Sequence, residues 1–130
     1  MESIRTTAAP APVQGAPYSQ AIDAGALVFV SGQVPLDASG ALVGPAIGDQ
    51  TRQCLDNVAA ILAEAGLCLA DVAKTTVYMT DLDEFSGMNT AYAAAFAAHA
   101  PARATVGVAA LPAGARVEIE AIAVRRTTAG

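Results

Sequence analysis

The chain has 130 residues, of which 54% are hydrophobic and 15% charged, with a net charge of −5. That balance excludes a disordered chain and leaves room for one domain, residues 1–130, with a real core. The acidic balance weighs against nucleic-acid partners, no apolar stretch is long and clean enough to span a bilayer, and the opening "MESIRTTAAPAP" lacks the pattern of a secretory signal.

In chain order, a short strand is expected around Ile4 to Thr6, then a loop over 8–17, rich in Pro, Ala and Gly. "ALVFVSGQ" (26–33) reads as a buried strand that ends on a Ser-Gly turn. Residues 35–48 carry turn chemistry, with at most a short strand near Ala41 to Val43. A helix is predicted over 49–65, where Leu55, Val58, Leu62 and Ala65 recur at helical spacing. Asp49 is its expected N-cap and Gly66 its C′ residue. "VAKTTVYMT" (72–80) is strand-like, rich in Val, Thr and Tyr. A second helix follows Asp83, with Phe85, Met88, Tyr92 and Phe96 as its apolar stripe and Pro101 as its stop. Strands near 103–108 and 115–125 close the chain, with "LPAGA" turning between them.

This order predicts an α+β domain with both helices on one face of a mixed sheet. The other face is then left uncovered and partly apolar, which calls for a partner, most simply in a symmetric homo-oligomer. Cys54 and Cys68, near the two ends of the first helix, would lie about 15–20 Å apart at about 1.5 Å per residue, too far for a disulfide. They read as reduced thiols in a cytoplasmic protein.

Common catalytic sites are missing from the sequence. His99, the lone histidine, reads as a helix C-terminal residue that interacts with the dipole. One histidine and two distant cysteines make no usual zinc site, and no phosphate loop or dinucleotide fingerprint is present. Scattered polar residues at the ends of apolar segments remain. Arg103 opens a strand, and its planar guanidinium matches a carboxylate. Two readings stay open for it: a substrate carboxylate, or a structural ion pair with Glu118 or Glu120. Those two glutamates share one face of a strand, where one can orient or deprotonate water and the other be merely solvated. Tyr18, Ser31 and Asn89 are further candidates, each with a structural role as its plain alternative. Arg125 and Arg126 read as a solvated strand end.

Together, "APYSQAIDAG" (16–25), "VSGQVP" (30–35), "QTRQCLDNVAAILAEAG" (50–66), "VAKTTVYMTDLDEFSGMNTAY" (72–92), "PARATVGVAALP" (101–112) and "VEIEAIAVRR" (117–126) resemble the RidA family, also called YjgF/YER057c/UK114 or endoribonuclease L-PSP. The resemblance implies a chorismate-mutase-like fold and a homotrimer with clefts between subunits. It implies hydrolysis of 2-aminoacrylate and related 2-imino acids to 2-oxo acids and ammonia, without metal or cofactor. By position, Arg103 matches the carboxylate-binding arginine and Glu118 the water-positioning glutamate, while Tyr18, Ser31 and Asn89 match cleft residues. The chain departs from the family pattern at Thr105, a substrate-binding position where members carry cysteine. It departs again at "HAPAR", which is shorter and has Ala100 in place of an aromatic residue. Other functions attached to this fold are an endoribonuclease or translation inhibitor, a non-catalytic binder of small carboxylates, a chaperone, and a catabolic deaminase acting on a compound such as 2-aminomuconate.

Overall fold

The computed structural model describes residues 1–126. Its six strands are β1 (Glu2–Ile4), β2 (Ala21–Asp23), β3 (Leu27–Gln33), β4 (Val72–Met79), β5 (Ala102–Gly107) and β6 (Val117–Val124). Its helices are α1 (Ile47–Glu64) and α2 (Phe85–Phe96). The strands form one sheet in the order β1-β2-β3-β6-β4-β5. Only β4 and β5 are paired in parallel; every other neighbouring pair is antiparallel.

The connections explain why both helices share a face. β6 runs antiparallel to both β3 and β4, so β3 and β4 are parallel with β6 inserted between them. The chain passes from β3 through α1 to β4, then through α2 to β5, moving in the same direction across the sheet each time. Parallel crossovers share one hand, so two steps in one direction place their helices on one side. The expected arrangement is therefore present.

The core fills the layer between that face and the helices. Leu55, Val58, Ile61 and Leu62 of α1 are fully buried with Val28 of β3, Val77 and Met79 of β4, and Val117 and Ile119 of β6. Polar side chains within this layer are tied to backbone. Asn57 donates from Nδ2 to the carbonyls of Val34 and Leu36, and Gln50 accepts from Arg116 N–H while donating to Gly44 O. These bonds anchor the irregular 34–46 segment without a regular strand, since the expected strand near Ala41 to Val43 reduces to a single bridge between Leu36 and Leu42.

Several local expectations change. The first strand spans Glu2–Ile4, and β2 arises where a continued loop was expected. It is three residues long, too short for alternation to mark, and is held by pairing on both edges. Helix α1 starts two residues before Asp49: Ala46 is extended, and Gln50 N–H already bonds to its carbonyl. Asp49 instead lies in the first turn, where its charge favours the helix dipole. Gly66 does end α1, with φ +75°. Helix α2 ends at Phe96, before Pro101, because Ala97 turns to φ 55°. His99 then donates from Nε2 to Val72 O at 2.6 Å, fastening the chain to β4 instead of capping a helix. Arg125 is no loose strand end; it pairs with Asp23 at 2.8 Å and donates to Gly25 O and Ala65 O.

Cys54 is buried and Cys68 exposed, and both are free thiols. Burial pushes the Cys54 thiol well above its ordinary value, so it stays protonated, donating to Val117 O at 3.6 Å. Among the described residues, no helix is long and apolar enough to cross a membrane.

The open face of the sheet carries Ile22, Leu27, Phe29, Ile122 and Val124, brought together by the pairing of β2, β3 and β6. Phe29 remains 42% exposed. The core makes a direct prediction: Leu55→Ala opens a cavity between α1 and the sheet and should cost about 2–5 kcal/mol of stability, measured as a lowered midpoint of urea unfolding.

Candidate functional site

β5 is an edge strand, and its register with β4 decides where Arg103 points. Arg103 pairs with Thr75 and Thr105 with Val77, both on the helix-covered face. Arg103 thus runs beneath α2, where its guanidinium lies 4.8 Å from the Tyr92 ring centroid and 5.5 Å from that of Phe85. Such stacking is worth about 0.5–2 kcal/mol and fixes the plane of the fork. The Tyr92 ring is itself held, its hydroxyl sharing a 2.6 Å hydrogen bond with Thr75 Oγ1. Burial pushes the Tyr92 phenol up, while the Thr75 bond and the Arg103 charge pull the other way.

Asn89 lies four residues after Phe85 and three before Tyr92, so it shares their side of α2. Its Oδ1 is buried without a hydrogen-bond partner. The ion pairs among the described residues leave Arg103 out. The ion-pair reading of Arg103 with Glu118 or Glu120 therefore fails, and the reason is the pleat. Glu118 pairs with Tyr78 and Glu120 with Thr76, residues that alternate with the buried Thr75, Val77 and Met79. Both glutamates project from the open face, opposite to Arg103.

A second group of candidates gathers around Glu118. Between Val30 and Gln33 the pairing of β3 with β6 slips by one residue, a β-bulge at Ser31 and Gly32. The strand therefore runs through the Ser-Gly pair instead of ending there. Ser31 donates from Oγ to Ser19 O at 2.6 Å, and its N–H bonds to Gln20 O. Both links tie the bulge to the segment that carries Tyr18. Gly32 lies directly under the Glu118 carboxyl: a Cβ there would overlap Glu118 Oε2 and stand 2.9 Å from its Cδ. Glu118 is half-buried, and that burial raises its carboxyl above the ordinary range, with the nearby Glu120 charge adding to the rise.

Tyr18 is 40% exposed, and its hydroxyl accepts from Val13 N–H at 2.8 Å. A wide depression of about 940 Å³ opens between the 11–18 loop, Arg5 to Thr7 and Glu64. It takes in Tyr18 but neither Arg103 nor Glu118, so it is no complete site by itself. Among the described residues, no three His, Cys, Asp or Glu side chains gather as a metal cluster.

The candidate residues thus fall into two separate groups on one chain. Arg103, Thr105 and Asn89 lie at the β5–α2 edge, while Tyr18, Ser31 and Glu118 belong to the β3–β6 side. The sequence offered all six largely through the family resemblance, and their spacing gave no sign that they would split. It missed Phe85 and Tyr92 as the walls around the guanidinium, having taken them only as an apolar stripe. It also missed Gly32, whose position in "VSGQ" looked like a turn.

Comparison with known proteins identifies the relatives of this arrangement. The family model for endoribonuclease L-PSP matches residues 6–125. The chain belongs to the RidA/YjgF family. Within that family it is 45% identical to the 2-iminobutanoate/2-iminopropanoate deaminase of Salmonella typhimurium over 128 residues, covering 96% of this chain and 98% of the relative. The crystal structure of the Escherichia coli YjgF gene product superposes with a TM-score of 0.91 at 44% identity, covering 97% of this chain and 100% of that one. Escherichia coli TdcF with bound serine gives a TM-score of 0.90 at 41% identity, with the same coverage. The RidA/YjgF fold is thus the α+β sheet and helix pair described above.

The packing of Gly32 against Glu118 generates a test of the second half-site. Gly32→Ala should leave the fold intact, because the side chain it meets can swing away, but it should displace the carboxylate. A misplacement of that size is expected to cost on the order of 100-fold in kcat/KM for the reaction proposed next, with an unchanged melting curve.

Proposed function

We propose that the chain is an imine deaminase that hydrolyses small 2-imino acids, of the 2-iminopropanoate and 2-iminobutanoate class, to 2-oxo acids and ammonia. The observation that carries this reading is Arg103, a half-buried guanidinium set against two aromatic rings with no carboxylate partner among the described residues. A cation so placed is prepared for a carboxylate from outside. The unpaired Asn89 Oδ1 on the same side offers an acceptor for a substrate N–H. The deaminase name carried by relatives at about 45% identity supports the choice of substrate class.

The reaction needs two things beyond carboxylate binding. Water must attack the imine carbon, and the nitrogen must gain protons until ammonia leaves. In this reading Arg103 fixes the carboxylate bidentately and so holds the carbon in place. Glu118 orients the water and takes up its proton as the C–O bond forms. That proton then goes to nitrogen, a second proton passes from the adduct's hydroxyl to nitrogen by way of Glu118, and the C–N bond of the tetrahedral adduct breaks to give the oxo acid and ammonia. A carboxylate raised above its usual range is a better match for such shuttling near neutral pH. Thr105, two residues after Arg103 on the same face, and Ser31 and Tyr18 from the other group complete the lining.

Because Arg103 and Glu118 leave opposite faces of the sheet, the site is complete only when one copy's Arg103 meets another copy's Glu118. The apolar open face supports the same assembly, since burying Phe29, Leu27 and Val124 against a second copy removes them from water. We take the closed form to be a homotrimer with three shared clefts, working in the cytoplasm. The net charge of −5 disfavours RNA as the substrate; an RNA affinity that falls steeply with salt would reverse that choice.

An amino-acid oxidase with semicarbazide supplies the assay: the imine accumulates as an ultraviolet-absorbing semicarbazone unless the protein destroys it first. Wild type should suppress the signal, while Arg103→Ala and Glu118→Gln should each lose most of that activity, by about 100-fold or more. Chains carrying the two substitutions, refolded together, should recover roughly a quarter of wild-type activity, the share of sites in a closed ring that draw both intact halves by random mixing. No recovery from a properly assembled mixture would sink the shared-site reading. A wild-type trimer inert toward every imine would sink the deaminase.

A further inference from the structure

We propose that Tyr78 and Glu120 form a positioning pair for Glu118: the phenol pins the Glu120 carboxylate beside Glu118, and the pinned charge sets the pH range over which Glu118 works on water. The proposal rests on reading Glu118 as the water-handling group.

The geometry is specific. β6 sets Glu118 and Glu120 two residues apart on the open face, and β4 sets Tyr78 directly across from Glu118. Tyr78 does not bond to its direct partner. Its hydroxyl reaches diagonally and donates to Glu120 Oε1 at 2.6 Å, a short charge-assisted bond. That bond, with help from burial, raises the Tyr78 phenol above its ordinary value, so it remains a donor across the neutral range.

Two carboxylates on neighbouring same-face positions would ordinarily swing apart into water, since their repulsion is screened there. Here Glu120 is held by the phenol, while Glu118 lies half-buried in the space over Gly32 at the bulge. In the proposed shared cleft the other copy's Arg103 faces Glu118 and favours its ionisation; within one chain the remaining surroundings of Glu118 do not cancel the repulsion. From β3 it faces Ser31 and Gly32, which carry no charge. From α1 the nearby titratable group is Cys54, behind the sheet and protonated. The cation that β4 places on the open face is Lys74, exposed and paired with Ile122, beyond Glu120 from Glu118. Burial is the larger cause of the raised Glu118 carboxyl, and the like charge of Glu120 adds to it. Activity should then follow Glu118 ionisation along an acid limb that the Glu120 charge holds at higher pH than in a chain without it.

The test is the pH profile of kcat/KM in the oxidase–semicarbazide assay, with the oxidase in excess at every pH. It is paired with a direct titration of the glutamate side-chain carboxyl carbons by NMR, in which Glu118→Gln identifies the Glu118 resonance. Removing the neighbouring charge with Glu120→Gln should lower the Glu118 titration, and the acid limb should move to lower pH with it. Tyr78→Phe should move both in the same direction by less, because a freed Glu120 carboxylate turns toward water. A purely structural role for the pair would lower the melting temperature and leave both titrations in place, and that result would overturn the proposal. So would a Tyr78→Phe chain with the wild-type limb, which removes the pinning. A Glu118→Gln chain as active as wild type strips the pair of its purpose and defeats the catalytic reading as well. The carbon titrations still separate the two failures, since they read the coupling without any turnover.

Discussion

A β-strand sends successive side chains to opposite faces, and in this chain that rule governs the chemistry. Arg103 stands on the helix-covered face of β5, and Glu118 on the open face of β6, separated by β4 and by the thickness of the sheet. No rotamer brings the two together across it. The result follows from parity: Arg103 aligns with Thr75, Glu118 aligns with Tyr78, and those two lie an odd number of residues apart. A single slip of register would move either residue to the other face and bury a charge or expose the core. The packed layer of Val77, Met79, Val117 and Ile119 therefore protects the separation of the two groups as firmly as it protects the fold. In the proposed site, function and oligomerisation become one requirement, since one chain alone cannot bring the two groups together.

The two half-sites are made rigid by different means, each suited to its surroundings. At the β5 edge little buried polar surface is available, and aromatic faces do the holding. Tyr92 is locked by Thr75 and in turn fixes the plane of the guanidinium. Around Glu118 the fixing is done by backbone irregularity and by charge. The bulge at Ser31 and Gly32 clears the space of one Cβ, and the Tyr78–Glu120 bond limits where a second carboxylate can go. A rigid cation and a tuned carboxylate are complementary demands: the first must keep its geometry at any pH, the second must change protonation within a useful range.

Much of this was legible in the residues. Helix α1 announced itself through Leu55, Val58 and Leu62, and β4 and β6 through their branched and alternating residues, because burial on one face imposes the period directly. The six candidate side chains were legible through the family resemblance. What escaped was local or relational. Strand β2 is three residues long and exists only through its neighbours on both edges. The start of α1 hid behind Asp49, an apt N-cap by type that the extended Ala46 made unnecessary. His99 looked like a helix C-terminal residue and Arg125 like a solvated strand end because their partners, Val72 O and Asp23, are distant in sequence. The bulge was read as a turn, since Ser-Gly serves either, and only the pairing with β6 distinguishes them.

The departures from the family pattern fall on one side of the shared cleft. Thr105 follows Arg103 on the same face, and Ala100 lies in the short link between α2 and β5, where His99 is fastened to Val72. Both departures belong to the β5 side of the sheet, away from Glu118 on β6. In the proposed site, changes there alter what surrounds the substrate carboxylate, while the group from Ser31 and Gly32 to Glu118 is built independently on the other face. Exchanging a thiol for a hydroxyl two residues from Arg103 keeps a small polar group where the substrate would lie, and removing an aromatic ring before it opens space. In the proposed site both changes fall on the carboxylate-binding side, opposite to the face that carries Glu118. The residues proposed to select the imino acid and the residue proposed to handle water thus stand on opposite sides of one sheet, where each can vary without disturbing the packing of the other.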